Sequence, residues 1–150
     1  VTASITQYQT FNKYVGDGTI DLDTDTFKVT LHTSSYTPNA ATQTVYADLT
    51  NELSTANGYT NGGVALASVT WTQSTVTMKW DAADATWAAS GGSIVARYAV
   101  IRKVGTANSI TDPLVAWVLM DTSPADVTTT TTNALNLVWN AAGIFTSVQT

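Results

Sequence analysis

The stretch Gly91–Val104, GGSIVARYAVIRKV, decides the fold class. Two glycines open it, and no breaker follows. Alternate residues separate into two sides: Ile94, Ala96, Tyr98, Val100, Arg102 and Val104 on one, Val95, Arg97, Ala99, Ile101 and Lys103 on the other. A period of two carried by β-branched and aromatic side chains predicts a strand, not a helix. The side holding Ile94, Ala96, Tyr98 and Val100 is expected to be buried, and the strand is expected to be central. Arg97, Arg102 and Lys103 are half of the chain's six cations. They are the candidate partner contacts of this segment, set against a solvated strand end.

Outward from this run the same pattern recurs. Leu114–Met120, LVAWVLM, is apolar at every position and predicts a strand buried on both sides or covered by the N-terminal helix. Thr128–Trp139 alternates with Leu135, Leu137 and Trp139 inward, and Ile144–Val148 makes a last strand. Upstream, Val64–Thr72 and Val76–Trp80 form a hairpin, with Val76, Met78 and Trp80 inward. Phe27–His32 places Phe27, Val29 and Leu31 inward and His32 on the polar side. Ile20–Asp25 also alternates, with Asp21, Asp23 and Asp25 on one side. Ser4–Val15 predicts a helix: Ser4 and Gln7 match an S-x-x-Q capping box, Ile5, Tyr8, Phe11 and Val15 share a face, and Gly16 stands at C′. The sum is one mainly β domain over residues 1–150. The expected architecture is an antiparallel β-sandwich or jelly-roll-like barrel of about seven or eight strands, with a short helix near residues 4–15.

The 150 residues include no cysteine, which excludes disulfides and thiolate chemistry and fits assembly in a reducing cytoplasm. Only 11% of the chain is charged, and the net charge is −5. An acidic chain with scattered cations argues against nucleic acid, whose binding rests on clustered Lys and Arg. No apolar run approaches the ~20 residues that span a bilayer. Low charge and abundant threonine suit a surface that lies against other proteins, because interface cores are depleted in charge.

Chemistry-bearing patterns are few. Asp21, Asp23 and Asp25 begin like a calcium loop, but its sixth and twelfth positions are Thr26 and His32 instead of Gly and Glu. The alternative is a solvated strand face. His32, the only histidine, has no nucleophile elbow to serve and is expected on the surface. Asp81 and Asp84 match a glycosidase pair only in residue type. NGYTNGG, residues 57–63, lacks the lysine of a phosphate loop. Of the tryptophans at 71, 80, 87, 117 and 139, Trp87 is the least constrained by apolar neighbours and is the candidate for an exposed, sugar-stacking or partner-binding ring. No catalytic residue, cofactor or metal follows from these patterns.

The segments FNKYVGDG (11–18), DLDTDTFKVTLHTSSYTP (21–38), NGYTNGGVALASVTW (57–71), ATWAASGGSIVARYAVIRK (85–103), DPLVAWV (112–118) and ALNLVWNAAGIFT (134–146) resemble a family of small virion structural proteins of tailed bacteriophages. The resemblance implies a non-enzymatic part of the particle, best assigned as a capsid decoration, or cement, protein. A tail, neck or fibre component is the alternative, and a carbohydrate-binding β-sandwich module is a more distant one. It further implies a virion location after assembly in the host cytoplasm. The implied partners are the major capsid protein or other virion proteins, and copies of itself, a trimer by analogy.

Overall fold

The computed structural model describes residues 4–150 and is mainly β, with antiparallel pairing throughout. Among the described residues fourteen strands stand where seven or eight were expected, because most are short and the sheets are small. The principal sheet has the order β1-β11-β8-β2-β3, from Ser4–Gln7 (β1), Leu114–Leu119 (β11), Tyr98–Lys103 (β8), Phe27–His32 (β2) and Val64–Ala65 (β3). A second sheet, β14-β5-β4, combines Phe145–Val148, Thr77–Asp81 and Thr70–Ser74. Three two-stranded ribbons complete the fold. They pair Ala85–Ala88 (β6) with Ala134–Leu137 (β13), Val95–Ala96 (β7) with Val127–Thr128 (β12), and Thr106–Ala107 (β9) with Ile110–Thr111 (β10).

The main core lies between the principal sheet and the other strands. Phe27, Val29, Leu31, Ala99 and Ile101 meet Trp80, Trp87, Leu135 and Leu137 there. Trp80 is fully buried, stands edge-on to Phe27 at 4.9 Å and donates its indole N–H to the Leu22 carbonyl at 3.0 Å. Enclosing one such ring is worth roughly 4–6 kcal/mol of transfer free energy as an upper bound. A smaller cluster, Tyr8, Tyr36, Val100 and Leu114, fills the opposite face of the principal sheet. The loop between β2 and β3 roofs that face with Tyr36 and Leu49.

The Gly91–Val104 run is interrupted. Ile94 and Ala96 lie in the main core, and so do Ala99 and Ile101, so the alternation shifts by one residue at Arg97. The cause is a change of partner: β7 pairs with β12, whereas β8 pairs with β2 and β11. Val100 therefore belongs to the smaller cluster instead of continuing the Ile94 side. In β11, a register shift between Leu114 and Ala116 sends both Val115 and Ala116 into the main core. That bulge lets LVAWVLM fill both faces, as its composition predicts.

Four local expectations fail. Ser4–Gln7 is not the first turn of a helix but an edge strand on β11, and Tyr8 extends the ladder through its N–H to the Val115 carbonyl at 3.1 Å. Ladder bonds to an apolar neighbouring strand outweigh a capping box worth about 1 kcal/mol. The helix, Phe11–Gly16 (α1), starts after Thr10, and Gly16 is its last residue; Gly18, at φ 76°, makes the left-handed exit. Asp21–Asp25 is a turn, not a strand. Val76 is the tip of the β4–β5 hairpin and 53% exposed, because the two-residue loop Thr75-Val76 begins with Thr75 at φ 51°.

Gly63 shows why NGYTNGG must bend. Its φ is 77°, and a Cβ there would lie 2.0 Å from the Val29 carbonyl oxygen. The loop is thereby pressed against the middle of β2. Gly63→Ala is expected to lower unfolding free energy by on the order of 3 kcal/mol in urea titration, whereas Gly62→Ala, with open space around its Cβ, carries only the left-handed penalty of about 1–2 kcal/mol. Equal losses at the two positions would contradict the close approach.

Candidate functional site

The three cations of the opening segment do not form a surface patch. Arg102 and Lys103 are each only 5% exposed. Successive residues of a strand point to opposite faces, so the two charges leave β8 on opposite sides. Lys103 Nζ donates to the Thr19 carbonyl at 2.9 Å and lies 3.4 Å from Asp25 Oδ2. The Arg102 guanidinium stacks on the Tyr46 ring, 4.0 Å from its centroid, and sits 3.2 Å from Asp112 Oδ2. It also donates to the Gly62 carbonyl at 3.3 Å, while its Nε is buried without a hydrogen-bond partner. The expected solvated strand end is covered by the 19–25 turn on one face and by Tyr46, Gly62 and Asp112 on the other. Arg97 stands at the break between β7 and β8, half-buried, with its Nε 2.9 Å from Asp126 Oδ1. Of the three candidate partner contacts, only Arg97 reaches solvent appreciably.

The acidic run is used in the same way. Asp21 accepts the N–H groups of Asp23 and Thr24 at 2.9 and 3.2 Å, and Asp25 accepts the Asp21 N–H at 2.7 Å. The bonds from Asp23 and Thr24 hold the Asp21 carboxyl below its ordinary range, and all three shape the turn that covers Lys103. Asp81 faces Lys79 at 3.0 Å, and Asp84 accepts the Trp139 N–H at 2.9 Å, so each of that pair serves a different partner.

His32 corrects another expectation: it is buried, not superficial. The β2–β3 loop covers its side of β2. Its Nδ1 lies 2.8 Å from the Thr50 carbonyl and must donate, which leaves Nε2 to accept from the Thr30 hydroxyl at 2.9 Å. Tyr36 packs on the ring at 4.7 Å. Trp87 is likewise 4% exposed, paired across the β6–β13 ribbon with Leu135. Burial removes it as a sugar platform. Trp71 and Trp117 are the half-buried tryptophans instead, and Trp71 with Phe11, Leu22, Met78 and Phe145 lines a groove of about 350 Å³.

The densest polar constellation was not singled out by any motif. Glu52, the chain's one glutamate, accepts hydrogen bonds from the Tyr46 and Tyr59 hydroxyls and from the Gly62 N–H. Tyr59 Oη in turn accepts the Leu31 N–H at 3.1 Å. Burial first, and then the Glu52 carboxylate, push the Tyr46 phenol up to about 12, and the Tyr59 phenol is raised for the same reasons. A carboxylate holding three donors is a clamp: it ties the 46–62 loop to β2. A single glutamate flanked by tyrosines six residues before and seven after was the only signal available. No protein-family model matches the chain, and neither a curated protein nor a solved structure matches it.

Two outcomes follow from this geometry. Lys103→Glu faces Asp25 in a buried place and is expected to cost about 3–5 kcal/mol, whereas Arg97→Glu at a partly exposed pair is expected to cost about 1 kcal/mol or less. Chemical denaturation checks both, and similar losses would contradict the burial difference. Burial holds the His32 imidazole below its ordinary value, against the Thr50 carbonyl and the Glu52 charge. The unfolded chain therefore binds the proton first as pH falls, and His32 subtracts stability from the ordinary histidine value downward. Its ring resonances are expected to titrate below roughly pH 6.5, the unperturbed value; a midpoint above that contradicts the assignment.

Proposed function

We propose that this chain is a non-enzymatic structural protein of a tailed-phage virion, a decoration protein that cements the head. The observation that carries this reading is the use of the polar residues. Glu52, Arg102, Lys103, Asp25, Asp112 and His32, the groups with the chemistry to act, are joined to one another or to the main chain inside the fold. Outside, the second sheet offers a face whose charges are the paired Lys79 and Asp81 and whose other side chains are mostly small and uncharged. Thr72 and Ser74 of β4 and Thr146 and Val148 of β14 lie exposed on the outer side of the second sheet.

Such a face suits close contact with other proteins, where desolvating charge is costly. A stiff β body with loops clamped by Glu52 and Lys103 also loses little conformational freedom on docking, which favours affinity. Many copies bound only to the assembled shell stabilise it by mass action. The resemblance to small phage virion proteins adds the identity of the shell, and the major capsid protein is the partner it implies.

Phage particles assembled without this protein are expected to lose their genome at lower temperature or lower ionic strength than complete particles, and added protein is expected to restore them. Labelled protein is expected over the whole head. Label confined to the tail, neck or fibres, or heads equally robust without the protein, overturns the cement role.

A further inference from the structure

Hydrogen bonds inside the fold take up most side-chain amides of this chain. Gln43 accepts from Tyr36, Asn61 donates to the Leu53 carbonyl, and Asn108 donates to Asp17 and Thr19; the other loop asparagines are bonded in the same way. The amides whose side chains have no such partner among the described residues are Gln7, Gln9, Asn12 and Gln149. All but Gln9 stand around one place, the groove of about 350 Å³ beside Trp71. The groove exists because α1 is short. Cross-strand register puts Trp71, Met78, Phe145 and Ser147 on the inner face of the second sheet, with the buried Trp80. The helix covers that face through Phe11, whose ring stands edge-on to Phe145 at 5.3 Å. Beyond that contact Trp71 and Met78 stay half-buried and wall the groove. None of the described residues that line it is charged.

We propose that this groove is a binding site for a neutral sugar, with a pyranose ring laid on Trp71 and its hydroxyls met by Gln7, Asn12 and Gln149. The lining selects this class of ligand from two sides. An ionic ligand would leave water and find no opposite charge in the groove, which is costly. A wholly apolar ligand would cover three amides and leave their donors and acceptors unpaired, which is costly too. A sugar avoids both losses. Each of its hydroxyls donates and accepts, and so does a primary amide, so one Asn or Gln can serve two neighbouring hydroxyls. Its ring also presents polarised C–H groups, which the negative face of an aromatic ring attracts. The volume falls at the lower end of ligand pockets and suits roughly one or two sugar rings. The inference goes beyond the virion reading and does not rest on it.

The experiment titrates the isotope-labelled whole chain with the methyl glycosides of glucose, galactose, mannose and N-acetylglucosamine. Nuclear magnetic resonance follows the Trp71 indole and the side-chain amides of Gln7, Asn12 and Gln149, and the backbone spectrum is the folding control. At least one glycoside is expected to move these signals together, with a Kd on the order of 1 mM. The double variant N12A/Q149A changes two exposed positions and is expected to weaken that binding about tenfold. Q9A, which removes the unpartnered amide outside the groove, is expected to leave it unchanged. Cyclohexanol, a six-membered ring with a single hydroxyl, is expected to bind about tenfold more weakly than the best glycoside. Signals that no glycoside moves overturn the proposal. So does binding that N12A/Q149A leaves intact, that Q9A weakens equally, or that cyclohexanol matches.

Discussion

Two adjacent cations buried on opposite sides of one strand set the terms for the rest of this structure. Arg102 and Lys103 close β8, the middle strand of the principal sheet. A charge taken from water costs several kcal/mol unless it is paired and hydrogen-bonded. The chain meets that cost with two separate covers. The Asp21–Asp25 turn brings Asp25 and the Thr19 carbonyl to Lys103, and Asp112, Tyr46 and Gly62 enclose Arg102. Long loops that look featureless are thereby held in defined places.

The Glu52 clamp works from the same side as Arg102. Tyr46 donates to Glu52 and offers its ring to Arg102, so one residue joins the acid and the base. Gly62 donates its N–H to Glu52 and its carbonyl accepts from Arg102. Gly63, next in the chain, can press on β2 because it has no side chain. His32 is sealed beneath this roof. The polar network therefore acts as architecture, and it leaves the outer strand faces, rich in threonine and poor in charge, as the surface offered to other molecules.

Periodicity made the β class and the centrality of Tyr98–Lys103 legible, along with the inward residues of Phe27–His32 and Leu135–Trp139. Alternation reports local geometry, and there it succeeded. It could not reveal the phase shift at Arg97, which arises because two parts of one run join different sheets. Ser4–Gln7 has both a helical cap pattern and an alternating one, and only the free edge of β11 decides between them. His32, Trp87, Arg102 and Lys103 were assigned outward because polarity, or the lack of apolar neighbours, was all the sequence displayed. Their burial depends on loops distant in sequence: residues 33–53 over His32, residues 19–25 over Lys103, residue 112 beside Arg102 and residues 133–137 against Trp87. Such long-range closure leaves no periodic trace. Glu52 escaped for a different reason: its donors Tyr46, Tyr59 and Gly62 are near in sequence, but they stand in loops at spacings that match no helix or strand period.

The cations of β8 are buried within the fold of the chain itself. Amine acylation of the folded chain under limiting reagent, read lysine by lysine by mass spectrometry, tests it directly. Lys13, with 72% of its side chain exposed, is the internal reference. The account predicts that Lys13 is modified promptly while Lys103 stays unmodified until the chain is unfolded. Modification of Lys103 in the folded chain at a rate comparable to Lys13 would contradict it.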